Sequence, residues 1–283
     1  TNCGDCSHVC PVMVPNKFDK DMVPSKAIYI PFPQAVPLTY LIDMDHCITC
    51  HECVKACKAS GAAAIELRQE PEEIIRDVQS IVVATGSEPY NPIDRPEYGY
   101  GRFSNVLISL ELERLLSASG PTSGQVTRTS DGKIPKRVAF INCVGSRDFQ
   151  VEREYCSKIC CMYGMKEALL IKEHEPSTDV TIFYMDVRAF GKGYEEFYQR
   201  TKSEYGIRYM RSRPAEISED PSTRNLIVRY EDTTTGKITE SEFDMVILNS
   251  ALVPREGTKR IAEKLNLRLN EFGFIEPKDL IAD

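Results

Sequence analysis

No apolar run in the 283 residues approaches the roughly 18 to 20 needed to cross a bilayer, so hydropathy gives no membrane-spanning helix and direct membrane insertion is not expected. There is no surplus of basic residues either: 35 Lys and Arg face 42 Asp and Glu, a net charge of −7. Nucleic acids and anionic membranes need clustered cations to neutralise their phosphates, so neither is expected as the main partner. The opening Thr1-Asn2-Cys3-Gly4-Asp5-Cys6 has neither an initiator methionine nor the basic and apolar regions of a secretory signal, and it begins inside a motif. The chain therefore reads as a piece of a longer, cytoplasmic protein, with no low-complexity tract and ample length for a sizeable core.

What is abundant is cysteine. The eleven divide without remainder into Cys3, Cys6 and Cys10; Cys47, Cys50, Cys53 and Cys57; and Cys143, Cys156, Cys160 and Cys161. The second spacing, C-x2-C-x2-C-x3-C, is the bacterial ferredoxin run, in which three thiolates of one loop hold one cluster and the fourth reaches its neighbour. Cys3, Cys6 and Cys10, followed by Pro11, repeat it without the leading cysteine, whose place would precede Thr1. Crossed ligation then predicts one [4Fe-4S] cluster on Cys3, Cys6 and Cys57 and a second on Cys10, Cys47, Cys50 and Cys53. Disulfides need an oxidising compartment and usually a small secreted domain. Structural zinc usually takes two separated C-x2-C pairs, not three successive cysteines at intervals of three. Both are weaker readings of this spacing, zinc the better of the two. His8, His46, His51 and His174 are expected at the surface, since cysteine fills the inferred ligand positions.

The third group, C-x12-C-x3-C-C, matches no general cluster motif, and the vicinal pair Cys160-Cys161 would by itself equally suit a redox or buried pair. Thiolates suit iron–sulfur chemistry, so beside two cluster runs these four are expected to hold a third cluster.

Pro24, Pro31, Pro33 and Pro37 keep the segment between the first two runs from being a regular helix. Residues 62–67 read as a short apolar strand closing a ferredoxin unit, and Ser80 to Gly86 as a buried parallel strand ending in its turn. Residues 109–117 read as a helix capped by Ser109. From Lys136 onward strands at 138–142, 180–185 and 207–211 alternate with helices at 163–174 and 194–205, which implies a parallel, doubly wound sheet. A hairpin of 225–230 and 237–243 precedes a buried strand over 244–249. The loop after the first of these strands, Asn142-Cys-Val-Gly-Ser-Arg-Asp148, lacks the G-x-G-x-x-G of a dinucleotide site and carries Cys143 instead, so NAD is not expected there.

The two ferredoxin runs, Lys26 to Pro37, Ala84-Thr85-Gly86, Pro96 to Gly101, Cys143 to Asp148, Cys156 to Cys161 and Phe183 to Gly193 together resemble the A subunit of heterodisulfide reductase over nearly the whole chain. The related component of sulfate reducers' membrane-associated redox complexes is a second, close resemblance. The resemblance implies an α/β flavoprotein of thioredoxin-reductase type with an inserted α+β ferredoxin-like domain, incomplete here at both ends. It divides the chain into a two-cluster ferredoxin-like domain at 1–67, part of an FAD-binding domain at 68–135, a Rossmann-type domain carrying the third cluster at 136–250, and a return to the FAD domain at 251–283. It implies FAD beside the third cluster, with Ala84, Thr85 and Gly86 at a strand turn near it and Glu113 and Lys166 as flavin neighbours whose charge tunes its potential. It also implies flavin-based bifurcation in a cytoplasmic complex of redox subunits, with a hydrogenase or dehydrogenase as donor and a homodimeric core. The alternative is a non-catalytic, polyferredoxin-like carrier or docking subunit. For Glu113 and Lys166 the plain alternative is a solvated helix face.

Overall fold

The computed structural model describes residues 2–277; residues 278–283, the end of the segment assigned to a returning FAD domain, lie outside them. Contacts divide the chain into two compact units, Thr1–Val82 with Ser117–Gly124, and Val83–Leu116 with Gln125–Asp283. This division joins residues 83–116 to the unit that carries 136–250, where the sequence reading had set them apart.

In the first unit the helices α1 (Asp5–His8) and α2 (Glu52–Ala59) each follow a residue in the left-handed region, Gly4 at φ 84° and His51 at φ 63°. These are equivalent positions of the two cysteine runs, so the repeat in sequence is a repeat in backbone. Strands β1 (Met13–Pro15) and β2 (Pro24–Lys26) pair antiparallel, as do β3 (Ile28–Tyr29) and β4 (Leu41–Ile42). Among the described residues the buried apolar side chains from 2–82 are Cys6, Val14, Ala27, Ile28 and Cys57. That is too little hydrophobic burial to offset the chain entropy of a unit this size.

Two strand expectations fail. Residues 62–67 turn back over the end of α2: the Ala62 and Ala63 amides both donate to the Cys57 carbonyl at 3.2 Å and the Ala64 amide donates to the Cys57 sulfur at 3.2 Å. Amides spent on one residue cannot form a ladder. Residues 80–86 are irregular, with Ile81 and Val82 62% and 88% exposed. A parallel strand needs partners at its edges and cover on its faces, and no described strand pairs with this one.

The second unit contains β5 (Ser87–Pro89), β6 (Val106–Ile108), α3 (Ser109–Leu116), β7 (Arg137–Val144), α4 (Cys160–His174), β8 (Asp179–Tyr184), α5 (Tyr194–Ser203), β9 (Arg208–Arg211), β10 (Glu216–Glu219), β11 (Leu226–Asp232), β12 (Lys237–Phe243), β13 (Met245–Ser250), β14 (Leu252–Pro254) and α6 (Thr258–Leu265). A five-stranded sheet runs β6-β13-β7-β8-β9 with every pair parallel, as the alternation of strands and helices predicts. Strands β10, β11 and β12 form an antiparallel layer, and β14 pairs with β5. The two central strands are buried on both faces, β13 throughout and β7 from Val138 to Val144, which is why they are apolar from Val138 to Ile141 and from Met245 to Leu248. Each fully buried Ile, Leu, Val or Phe there contributes about 1.5–3 kcal/mol.

From β7 the chain proceeds through α4 to β8 and β9 on one side, while β13 and β6 lie on the other. The carboxyl ends of β7 and β13 therefore flank the topological switch point, where open α/β sheets bind ligands. The loop leaving β7 is fixed by Asp148, which is 3% exposed and accepts guanidinium N–H groups from Arg95 and Arg213 at 2.5 Å each and the Gln150 amide at 3.0 Å. No helix among the described residues is long and apolar enough to cross a membrane.

Candidate iron–sulfur and cofactor sites

The first two cysteine runs are bent by left-handed residues, Thr49 at φ 52° and His51 at φ 63° in one and Gly4 at φ 84° in the other. The bends turn the cysteines inward to two separate cavities. One is lined by Cys47, Cys50 and Cys53 together with Cys10 of the other run, under Ile28, Ile42 and Ile48. The other is lined by Cys3 and Cys6 together with Cys57, beside Leu38 and Tyr40. The division is the crossed one read from the spacing. Electrostatics follow it too: burial and then the charges of Cys3 and Cys57 push the Cys6 thiol up, while burial and then Cys47 and Cys50 push up that of Cys53. Thiolates crowded in this way repel, and cationic iron between them removes that penalty. Amides also serve the sulfurs, Thr49 donating to Cys47 at 3.4 Å and Ala64 to Cys57 at 3.2 Å. Among the described residues no three Cys, His, Asp or Glu side chains are gathered tightly enough to hold a single metal ion. A four-iron cluster is larger than an ion and spaces its thiolates around a wider cage. His8, His46, His51 and His174 are exposed, as expected.

The third group assembles at the switch point. Cys143, next to last in β7, sits at φ 63°, and Gly145 at φ 75° and Arg147 at φ 54° continue the sharp turn. A methyl on Gly145 would lie 2.1 Å from the Tyr90 ring, so only glycine fits. Cys160 and Cys161 occupy the first turn of α4, where the helix dipole favours thiolates. Cys160 is in hydrogen-bond contact with both Cys143 and Cys161. Those contacts pull the Cys143 thiol down and lower that of Cys161 to about 7, while Cys160, bonded to both and buried, is the one that keeps its proton. Cys156 accepts the Lys158 amide at 3.4 Å, and the Arg188 guanidinium faces it and Cys161. Cys143, Cys160 and Cys161 cannot all be thiolates at such close quarters without a cation among them, a donor set that suits an iron–sulfur group.

Next to this group α3, α4 and the end of β13 enclose a cavity of about 270 Å3. Glu113 and Lys166 stand at its rim, largely exposed, with Lys166 Nζ 3.9 Å from Glu113 Oε1. The lining is otherwise mostly apolar, from Ile108, Leu110, Leu116 and Leu170. Ala84, Thr85 and Gly86 do not line it; Ser87 and Pro89 of β5 do. Sequence reading missed two residues of its wall, Glu167 and Ser250. No local signal marked Glu167, since neighbouring charged residues on a helix can both face water, as Glu195 and Glu196 of α5 do.

Residues 1–63 match the family described as 4Fe-4S dicluster domain. Over 97% of its length the chain is 54% identical to the A subunit of the H(2):CoB-CoM heterodisulfide,ferredoxin reductase of Methanothermobacter thermautotrophicus, covering 41% of that protein. It is 53% identical, over 98% of its length, to the iron-sulfur A subunit of the CoB--CoM heterodisulfide reductase of Methanocaldococcus jannaschii, covering 42% of it. The chain thus spans about two fifths of the length of the curated relatives it matches. A thioredoxin reductase from Lactococcus lactis overlays 69% of this chain and 50% of its own at 18% identity and a TM-score of 0.41, too loose a likeness to bear on function. Over the part of their length that it spans, the chain is a homologue of the A subunits of heterodisulfide reductase.

Proposed function

We propose that this chain is the electron-conducting part of a heterodisulfide-reductase-type A subunit. Cys3, Cys6 and Cys57 hold one [4Fe-4S] cluster, Cys10, Cys47, Cys50 and Cys53 a second, and Cys143, Cys156, Cys160 and Cys161 a third iron–sulfur centre. The flavin ring of FAD occupies the neighbouring cavity, with Glu113 and Lys166 at its rim. The observation that carries this reading is the crossed lining of the two ferredoxin cavities, since no other use of seven cysteines calls for exchange of the last cysteine between runs. When bound, the clusters supply one-electron carriers and FAD a two-electron store able to divide a pair between two paths.

The chain's own residues tune and insulate. The Thr49, Ala64 and Lys158 amides aimed at cysteine sulfurs stabilise added negative charge and so raise the potential of what those sulfurs bind. Ile28 and Ile42 cover one side of one thiolate set, of which Cys50 stays exposed. No side chain needs to act as acid or base in electron passage between thiolate sites. A cavity of about 270 Å3 is near the lower end for small-molecule sites and takes a ring system, not a whole dinucleotide. The partners are the other redox subunits of a cytoplasmic complex, with a hydrogenase or dehydrogenase as donor and heterodisulfide reduction as the reaction of the whole assembly; the core is a homodimer.

Iron, acid-labile sulfide, zinc and flavin per chain, measured on anaerobically purified protein, test the reading. It requires about eight to twelve irons with matching sulfide. Bound FAD extends it to the flavoprotein role, clusters without flavin leave a ferredoxin-like carrier, and stoichiometric zinc without sulfide sinks it.

A further inference from the structure

The cavity beside the third cysteine group is walled in part by two polar atoms that the fold leaves unused. Its Tyr163 and Ser109 hydroxyls are spent, the first donating to the Ser250 carbonyl and the second to Asn249 Oδ1, each at 2.7 Å. Glu113 and Lys166 face each other at the rim, with side chains 57% and 61% exposed. Glu167 Oε2 and the Ser250 hydroxyl differ from all of these. Both residues line the cavity, they are only 5% and 3% exposed, and neither atom has a hydrogen-bond partner among the described residues. Burying an unpaired carboxyl oxygen and an unpaired hydroxyl is costly, whereas apolar side chains in their places would close the wall without that loss. The two atoms are carried by α4 and by the last residue of β13, so each is held on a regular element and not on a loop.

Each atom specifies what it can take. A carboxyl oxygen accepts from an N–H whether or not the group is ionised, and a serine hydroxyl donates to a carbonyl. The occupant must therefore carry a donor and an acceptor on one polar edge, with apolar faces to lie against Ile108, Leu110, Leu116 and Leu170. An isoalloxazine ring has such an edge at its pyrimidine end, where the N3–H lies between carbonyls, while its dimethylbenzene end offers neither group. We propose that Glu167 Oε2 accepts the N3–H of the flavin ring and that the Ser250 hydroxyl donates to an adjoining carbonyl, so that the ring enters the cavity pyrimidine end first. This rests on the reading of the cavity as the site of the flavin ring. It makes Glu167 and Ser250 binding residues that fix the ring's orientation from the buried wall, apart from Glu113 and Lys166 at the wet rim.

The test is ligand-side and protein-side at once. Lumiflavin and FAD, each beside its 3-methyl derivative, whose N3 can no longer donate, are titrated into the anaerobic, iron-loaded chain and followed by quenching of flavin fluorescence. The parent should bind the methylated member of each pair about tenfold more weakly, as loss of one buried hydrogen bond requires. Glu167→Leu, whose apolar side chain of similar size suits the wall, should bind both members about equally. Ser250→Ala should weaken both alike, by about threefold to tenfold. A parent indifferent to methylation, a Glu167→Leu variant that discriminates as the parent does, or a Ser250→Ala variant as tight as the parent overturns the assignment while flavin binding stands. Failure of lumiflavin and FAD alike to bind overturns the flavin reading, and the assignment with it.

Discussion

The two units use opposite means to hold a fold. In the second, central strands bury unbroken apolar runs, and Phe140, Ile141, Ile247 and Leu248 are wholly inaccessible to solvent. In the first, two of the five buried apolar side chains among residues 2–82 are cysteines assigned to a cluster, and the strands are two or three residues long. A unit of this kind folds around what it binds, and one of the other kind folds by itself.

That contrast is most directly broken by removing iron. Chelation of the anaerobic protein should unfold residues 2–82, seen as loss of amide protection across α1, α2 and the two short ladders, while β7 and β13 stay protected. Equal protection in both units after chelation would end the comparison. The next largest effect belongs to the second unit alone. Asp148→Ala removes the buried carboxylate that Arg95 and Arg213 share, leaving Arg95 with Glu97 alone, and should cost about 3 kcal/mol, read as a lower thermal midpoint for that unit with the iron content of the first unchanged.

A pH series sharpens the comparison further. Glu167 has a raised carboxyl, chiefly through burial. Below the ordinary glutamate value of about 4.3 both folded and unfolded states hold the proton, and stability does not depend on this group. Above it the unfolded chain releases the proton and the folded one keeps it. Stability of the second unit therefore falls, by up to about 1.4 kcal/mol per pH unit, until the folded value is reached. Amide exchange of β13 at several pH values should show that slope, and Glu167→Gln should flatten it. The smallest effect returns to the first unit. His51 adopts at φ 63° what glycine supplies at Gly4. His51→Gly should relieve about 1–2 kcal/mol of strain against about 0.4–1 kcal/mol of added chain entropy, a net gain below about 1.5 kcal/mol in the stability of the loaded protein.

Much of this was legible in residue order because its causes are local. The ferredoxin runs are written in spacing, and β7, α4, β8, α5, β9 and the β11–β12 hairpin in periodicity; α3 does start at Ser109, but the serine donates to Asn249 and does not cap it. Residues 80–86 misled because an apolar run states that a segment suits burial, not that anything is present to bury it. Residues 62–67 misled because their amides answer to Cys57, whose position depends on a helix end. The Asp148 ion triad and the buried hydrogen bonds that join Ser109, Asn249 and Asn142 link residues as far apart as 140 positions, and no window along the chain contains such a pair.

The exchange of Cys10 and Cys57 between the two ferredoxin cavities has a consequence for assembly order. On the proposed ligation each centre closes a long loop of chain, Cys6 to Cys57 for one and Cys10 to Cys47 for the other, and the second loop lies within the first. Closing the first removes most of the conformational freedom that the second would have had to overcome. Filling is then cooperative. At limiting iron the population divides into chains with both ferredoxin centres and chains with neither, and the singly filled species stays scarce throughout the titration.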